Sequence, residues 1–227
     1  NLECVLDLIY NPSNTKLLQD AQARGLKCQN GLWMLVAQAK ESAEWFTGTT
    51  IPNYKIQKIY DKIRFQMENI ILIGMPGCGK STVGALLAQE LGRPFVDADT
   101  VIAKTAGMTI PEIFSHEGED GFRKRETQVL AHLGKESGLV IATGGGCVTR
   151  PENYGILHQN GTLIWLQREL DNLPTEGRPL SQSNKLTELY RIRKPMYEAF
   201  CDFTADNNGD PSDTAKQILT LLQGGTL

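Results

Sequence analysis

A stretch about one third of the way along the chain contains the residues with the clearest chemistry. Asn69–Ser81 reads NIILIGMPGCGKS, and its apolar run Ile70–Ile73 predicts a short buried strand. Gly74–Ser81 is a complete G-x-x-x-x-G-K-[ST] loop, and a helical pattern follows directly. Such glycines let backbone N–H groups close around a polyphosphate, Lys80 can reach the outer phosphates, and the Ser81 hydroxyl can bind Mg²⁺. The stretch therefore predicts a nucleoside-triphosphate site rather than an ordinary glycine-rich helix cap.

The phosphate-binding prediction extends over the whole turn and the first residues of its helix. The residues that we expect to contact the nucleotide are Gly77, Cys78, Gly79, Lys80, Ser81 and Thr82. The positive end of the helix dipole adds to the attraction for phosphate.

Two carboxylates follow the next predicted strand, Pro94–Ala98. The alternate spacing of Asp97 and Asp99 would place both on one side of an extended backbone, at the strand end where parallel sheets bind ligands. Phosphoryl transfer needs an acid near Mg²⁺ and a group that positions the acceptor hydroxyl. The pair predicts these two functions. The alternative is a cap, with Asp99 at the start of a helix over Thr100–Ala106.

Two further groups of residues indicate a binding site. Arg123 and Glu126 are three residues apart and share a helix face, where arginine suits a bidentate carboxylate partner. Taken alone, such a pair is more often a solvated surface pair. Gly144–Gly146 follows the predicted buried strand Leu139–Ala142, and three consecutive glycines indicate close approach to a ligand or to another chain segment.

The last candidates lie in the final third of the chain. Gln167–Lys185 is polar and loop-like and contains Arg178, as expected of a lid that excludes water and stabilises a transferring phosphoryl group. Leu186–Phe200 is predicted to be a helix that carries Arg193 and is kinked or split at Pro195.

The composition excludes several other classes of protein. The chain has 227 residues, of which 41% are hydrophobic and 22% charged, and its net charge of −3 gives no basic surface for nucleic acid or an anionic membrane. No apolar run approaches the roughly 20 residues of a membrane span. The five dispersed cysteines form no C-x-x-C pair, which predicts free thiols and a cytoplasmic location.

The chain is predicted to have three parts. Residues 1–48 show a strand at Cys4–Tyr10 and helices at Lys16–Arg24 and Gly31–Phe46, a small β-α-α appendage. Residues 49–68 predict a linker helix. Residues 69–227 carry all the motifs described above.

From Asn69 to about Leu222 the sequence resembles the shikimate kinase family. The matching motifs are Gly74–Ser81, Asp97–Asp99, Phe122-Arg123-x-x-Glu126, Gly144–Gly146, Arg178-Pro179-Leu180 and Arg193-x-Pro195-x-Tyr197. The resemblance implies an α/β fold of the nucleoside-monophosphate-kinase type, a parallel sheet with helices on both faces. It also implies the transfer of a phosphoryl group from ATP to shikimate with Mg²⁺.

The resemblance implies a role for each candidate residue. Asp97 would be the acid associated with Mg²⁺ beside Ser81, and Asp99 would meet the shikimate hydroxyls. Arg123 and Arg193 would hold the shikimate carboxylate, and Gly144–Gly146 would offer backbone amides to it. The catalytic residues would be Lys80, Asp99 and Arg178, the last reaching the phosphates from the lid.

Two features depart from the family pattern. The segment between Trp165 and Arg178 is short for the family, and the second lid arginine, usually placed near adenine, has no counterpart. We therefore expect adenine to pack near Pro211 and the Asp206–Asp210 loop.

The first 48 residues contain a second set of motifs: Asp7-x-x-Tyr10-Asn11-Pro12, Thr15-x-Leu17-Leu18, Ala21, Gly25, Asn30-Gly31-x-x-Met34-Leu35-x-x-Gln38-Ala39 and Trp45-Phe46-Thr47-Gly48. These motifs resemble the C-terminal end of shikimate dehydrogenases, which implies substrate-contacting positions at Tyr10 and Gln38. That family's catalytic Lys and Asp and its glycine-rich dinucleotide loop have no counterpart here. We therefore expect no hydride transfer by this chain, packing roles for these two residues, and an origin within a longer polypeptide that includes a dehydrogenase portion.

Three alternative functions remain at this point. The chain could be another small-metabolite P-loop kinase, but that function would not explain Gly144–Gly146 or the pair Arg123 and Arg193. It could be the kinase part of a bifunctional dehydrogenase–kinase. A non-catalytic nucleotide sensor would not need Asp99 together with Arg123.

Overall fold

The structure, a computed structural model, describes residues 2–173 and 183–224. Its strands are β1 (Cys4–Leu6), β2 (Lys27–Gln29), β3 (Asn69–Ile73), β4 (Phe95–Asp97), β5 (Val140–Ala142), β6 (Gly161–Gln167) and β7 (Phe203–Asp206). Its α-helices are α1 (Lys16–Gln22), α2 (Leu32–Thr47), α3 (Tyr54–Met67), α4 (Lys80–Leu91), α5 (Ala98–Ala106), α6 (Ile110–Leu133), α7 (Glu152–His158), α8 (Ser183–Phe200) and α9 (Pro211–Gly224). None of the helices within these residues combines the length and apolar character needed to cross a bilayer.

A five-stranded parallel sheet forms the centre of the molecule, with the strand order β4-β5-β3-β6-β7. Helices pack against it, which confirms the predicted α/β fold with a parallel sheet. From the central strand β3 the chain passes to the outermost strand β4, returns to β5 beside β3, and then adds β6 and β7 on the other side of β3. Because the strands are parallel, all five carboxyl ends lie along one side of the sheet, which we call its carboxyl edge.

The sheet core explains why the apolar run after Asn69 forms a strand. Ile70–Ile73 are at most 1% exposed, and each buried side chain of this size contributes about 1.5–3 kcal/mol to folding. In β6, Trp165 is buried and stacks on Tyr197 of α8 with ring centroids 5.6 Å apart. The sheet and its helices thus form a rigid support for the loops at the carboxyl edge.

The prediction that Asp97 and Asp99 share one side of a strand is wrong. Asp97 ends β4 and caps α5, because its Oδ1 accepts hydrogen bonds from the N–H groups of Asp99 (3.0 Å) and Thr100 (3.3 Å). The helix therefore starts at Ala98, and Asp99 lies in its first turn. The capping alternative is correct in kind, but the capping residue is Asp97.

Two long helices contain residues that commonly interrupt a helix. In α6, which carries Arg123 and Glu126, the backbone is non-helical at Gly118, with φ 68°. Its first turn carries a capping box between Thr109 and Glu112. In α8 the helix continues through Pro195 as far as Phe200.

The N-terminal part contains a strand that the sequence did not indicate. The segment predicted as a loop between the first two helices includes β2, which pairs in parallel with β1. The appendage is therefore β-α-β-α, followed by α3 where the linker helix was predicted. Thr15 caps α1 through a bond from the Leu18 N–H.

The N-terminal part contacts the sheet domain at the edge opposite the carboxyl ends. The Arg93 guanidinium donates to the carbonyls of Glu68 (2.8 Å) and Phe65 and lies 4.6 Å from the centre of the Phe65 ring. The Gly138 N–H donates to Met67 O (2.8 Å), and the Asn14 N–H donates to Gln159 O (2.8 Å). These bonds join the end of α3 and the turn before α1 to the loops at the amino ends of the strands.

Arg93→Ala should lower the free energy of unfolding by about 1–3 kcal/mol, because it leaves two backbone carbonyls without their donor. The turnover number should not change, since Arg93 lies at the sheet edge opposite the P-loop. Chemical denaturation and steady-state kinetics check both parts. Arg24→Ala, at an exposed position, serves as the control. A loss of turnover with unchanged stability would contradict the assignment of Arg93 to docking.

Candidate active site

The candidate residues gather at the carboxyl edge of the sheet. The P-loop follows β3, Asp97 ends β4, Gly144–Gly146 follows β5, and Asp206–Asp210 follows β7. This edge is where parallel α/β sheets bind ligands. The parallel topology therefore brings together residues that lie far apart in the sequence.

The P-loop adopts backbone angles that require glycine. Gly74, Gly77 and Gly79 have φ angles of 143°, 82° and 96°, in the region that side chains rarely enter. The Lys80 side chain turns back into the loop, where its Nζ donates to the carbonyls of Gly74 (2.9 Å) and Met75 (3.0 Å). A buried ammonium and a helix N-terminus thus face the same turn, as an anionic ligand requires.

The residues that could hold Mg²⁺ are Ser81 and Asp97. Ser81 Oγ lies 2.6 Å from Asp97 Oδ2, at the start of α4 and the end of β4. Both are hard oxygen donors, and Mg²⁺ in phosphate sites takes only one or two protein ligands beside phosphate and water. The pair fits that ion. In the part of the chain that the structure describes, no cluster of three or more His, Cys, Asp or Glu side chains offers another metal site. Thr82 lies beside Ser81 at an exposed position.

Arg123 and Glu126 form a buried ion pair. Arg123 Nη1 donates to Glu126 Oε2 at 2.7 Å, and the two residues are 8% and 0% exposed. Burial raises the pKa of Glu126, and Arg123 partly opposes this rise. Arg123 Nη2 also contacts the exposed Glu119 at 3.3 Å. The solvated surface pair that the sequence left open is therefore excluded.

The triple glycine packs against the charged side chains of the site. A side chain at Gly144 would overlap Glu126 and approach Asp99 Oδ1, and one at Gly146 would overlap the Arg123 guanidinium. The Gly145 carbonyl accepts bonds from Arg193 Nη1 (3.1 Å) and from the Tyr197 hydroxyl. The glycines therefore allow side chains from three helices to reach one backbone turn. Gly145 also lies against Pro76 of the P-loop.

Three residues near the site were not among the predicted site residues. Glu126 is the buried partner of Arg123, Tyr197 bonds Gly145, and Asn207 bonds the P-loop. The i,i+3 spacing was a signal for Glu126, and the R-x-P-x-Y run was a signal for Tyr197. Asn207 lies in the Asp206–Asp210 loop, which we expect to lie near adenine, but no sequence signal indicated its bond to the P-loop. Arg178 lies outside the described residues.

Fold and site together define a P-loop kinase. The comparisons name the family: the shikimate kinase family model matches residues 76–223. The shikimate kinase of Synechococcus sp. (strain RCC307) is 45% identical over 172 residues, which cover 71% of this chain and 87% of that protein. That of Prochlorococcus marinus (strain MIT 9211) is 46% identical over 168 residues, covering 69% and 83%. The chain belongs to the shikimate kinase family.

Solved structures support the same assignment. The shikimate kinase from Acinetobacter baumannii in complex with shikimate is 40% identical, with a TM-score of 0.68, and the match covers 74% of this chain and 99% of that one. The shikimate kinase from Aquifex aeolicus is 33% identical, with a TM-score of 0.63 and coverage of 70% and 98%. The chain is thus an ATP-dependent small-molecule kinase.

The stability difference between wild type and Glu126→Gln should depend on pH. Burial raises the folded-state pKa of Glu126 above its ordinary 4.5, so its contribution is complete below about pH 4.5 and is lost as the pH rises through the raised value. Glutamine has no such titration. The difference in melting temperature should therefore be largest near pH 4 and shrink toward neutral pH.

The control for this experiment is Gln128→Ala, at an exposed position of the same helix α6, which removes no carboxyl and whose difference from wild type should stay constant over the same range. If the Glu126→Gln difference grows with pH instead, Arg123 holds the carboxyl ionised more strongly than burial opposes it.

Proposed function

We propose that the chain transfers the γ-phosphoryl group of Mg²⁺–ATP to the 3-hydroxyl of shikimate, giving ADP and shikimate 3-phosphate. The observation that carries this proposal is the convergence of two buried arginines, Arg123 and Arg193, on a glycine turn that touches the P-loop. A phosphate site and an anion site thus adjoin each other. The Acinetobacter baumannii shikimate kinase structure is a complex with shikimate, which carries one carboxylate.

The P-loop supplies the nucleotide side of the reaction. Backbone N–H groups from Gly77 to Thr82 and the helix N-terminus bind the phosphates, and Lys80 exchanges its carbonyl partners for phosphate oxygens. Ser81 and Asp97 would hold Mg²⁺, which would offset negative charge on the phosphates when bound. For Arg178, which lies outside the described residues, we propose the same effect.

The acceptor side uses the two arginines and Asp99. Within the described residues, Arg123 Nε is a buried donor without a hydrogen-bond partner, and an acceptor carboxylate would supply one. Arg193 approaches the same turn from α8. Asp99 lies beside Gly144, from where it orients the acceptor hydroxyl and takes its proton as the bond to phosphorus forms. Gly144–Gly146 line the acceptor with backbone groups.

A kinase for another small acid is the rival proposal, because two arginines bind any carboxylate. An ADP-release assay that compares shikimate, gluconate and nucleoside monophosphates distinguishes them. Release that depends on shikimate alone supports our proposal, and equal rates with gluconate contradict it. Lys80→Met should abolish the release with every acceptor.

Arg123→Ala and Arg193→Ala should each raise the KM for shikimate roughly 10- to 150-fold, the equivalent of about 1.5–3 kcal/mol for a charge-assisted bond. The KM for ATP should change little. Steady-state kinetics in both substrates check this. The matched controls are Lys124→Ala on α6 and Arg191→Ala on α8, which lie on the same helices but at exposed positions.

Arg123→Ala also leaves Glu126 buried without its partner, so its melting temperature must be measured alongside. Arg193→Ala does not break that ion pair and is the cleaner variant. A parallel rise of both KM values would assign these arginines to the nucleotide site or to the fold.

For the N-terminal part, whose sequence resembles the C-terminal end of shikimate dehydrogenases, we propose a structural role. The support is its hydrogen bonds to the sheet domain, such as the bond from the Asn14 N–H to Gln159 O (2.8 Å). We also propose a cytoplasmic location, since all five cysteines are free thiols.

With NADP⁺ and shikimate the chain should show no rise in nicotinamide absorbance, because the dinucleotide loop is missing from its sequence. ADP release with ATP in the same preparation is the positive control. Measurable reduction of NADP⁺ would overturn the structural role.

A further inference from the structure

Asn207 connects the end of the sheet to the phosphate-binding loop. It follows β7 directly, is 1% exposed, and its Nδ2 donates to the Cys78 carbonyl at 2.6 Å. A side chain at Gly79 would overlap the Asn207 amide, so the glycine and the asparagine fit each other. The contact joins two segments that lie 129 residues apart in the sequence.

The amide of Asn207 is held in one orientation from both sides. The Cys78 carbonyl can only accept, so the Asn207 amide must present Nδ2 to it. Asn207 Oδ1 then faces the Thr214 hydroxyl at 2.8 Å, which also lies 2.9 Å from the Asp206 carbonyl. The Asn207 N–H donates to Gln167 O at 2.8 Å, which attaches the residue to the end of β6. The Thr214 side chain is itself buried, at the start of α9. Asn207 is therefore a rigid donor rather than a mobile one.

The bond to Cys78 determines the direction of the next N–H group. The Cys78 carbonyl and the Gly79 N–H belong to one planar trans peptide, in which they point in opposite directions. A carbonyl that points toward Asn207 therefore leaves the Gly79 N–H pointing away from it. Gly79 itself has a φ of 96°, an angle that residues with a side chain rarely adopt, so the backbone at this peptide depends on glycine.

We propose that Asn207 is a positioning residue for the phosphate-binding loop, which orients the Cys78–Gly79 peptide so that the Gly79 N–H meets the nucleotide phosphates. The inference rests on the proposed binding of ATP at the P-loop, but it does not depend on the identity of the acceptor. Thr214 completes the arrangement by orienting the Asn207 amide. Preorganised donors of this kind contribute most where negative charge accumulates.

The test separates phosphate binding from adenine binding in the full chain. In Asn207→Ala and Asn207→Asp, the affinity for ADP should fall by about tenfold or more, the effect of one charge-assisted hydrogen bond. The affinity for AMP, which lacks the outer phosphates, should change by less than about twofold on the same scale. The KM for ATP should rise, and the KM for shikimate at saturating ATP should not. Calorimetric titration and competition binding measure the affinities.

Two further variants complete the design. Thr214→Val keeps the shape of the side chain but removes the hydroxyl, and it should weaken ADP binding in the same direction by a smaller factor. Gln217→Ala, at an exposed position of α9 outside the Asp206–Asp210 loop, is the matched control and should leave ADP affinity unchanged. Melting temperatures show whether each variant is folded. If the Asn207 variants are not folded, the ADP affinity of Thr214→Val decides the proposal.

Two outcomes would overturn the proposal. An equal loss of ADP and AMP affinity in the Asn207 variants would assign Asn207 to the adenine pocket. Unchanged ADP affinity would show that Asn207 only packs against the P-loop, even if its replacement lowers the melting temperature. Because ADP binding is measured without acceptor, failure of the shikimate assignment would appear only in the ADP-release assay.

Discussion

The site depends on the lack of side chains in the turn after β5. Gly144 and Gly146 lie against Glu126 and the Arg123 guanidinium, and the Gly145 carbonyl accepts a bond from Arg193. A Cβ at Gly144 would overlap Glu126, one at Gly145 would overlap Pro76 of the P-loop, and one at Gly146 would overlap the Arg123 guanidinium. The turn therefore brings α6, α8 and the P-loop into one site, and the remaining geometry follows from this packing.

The charges around that turn explain how two arginines remain buried. An isolated buried guanidinium costs several kcal/mol, and a carboxylate partner with good geometry repays much of that cost. Glu126 is such a partner for Arg123, and burial raises its pKa because the charged carboxyl has lost its water. Arg193 instead bonds a backbone carbonyl. The Arg123 Nε, which has no hydrogen-bond partner within the described residues, is suited to the carboxylate of an acceptor.

Binding and docking are located at opposite edges of the sheet. The P-loop, Asp97 and the glycine turn follow the carboxyl ends of the strands, whereas Arg93 and Asn14 attach the N-terminal part near the amino ends. The N-terminal part can therefore stabilise the sheet domain without contacting the nucleotide. Asn207 provides the corresponding connection at the carboxyl edge, between β7 and the P-loop.

The sequence by itself determined the features that depend on local patterns. The apolar run before Gly74 and the glycine spacing of the P-loop predict strand, turn and helix because only these residue types permit that backbone. The α/β class was implied by the resemblance to the shikimate kinase family. The placement of Asp99 was wrong because a capping bond from Asp97 competes with strand extension, and periodicity does not weigh the two. Strand β2 was missed because three residues carry no readable alternation.

Only the tertiary structure decided which polar residues are buried together. The spacing of Arg123 and Glu126 allowed a surface pair as well as a buried one, and the choice depends on the glycine turn that covers them. The role of Asn207 depends on a contact across 129 positions of the chain. Which side chains are buried, and which distant residues they contact, depends on how the sheet and its helices pack. A local sequence pattern does not predict this, because the same side chains can face either water or protein.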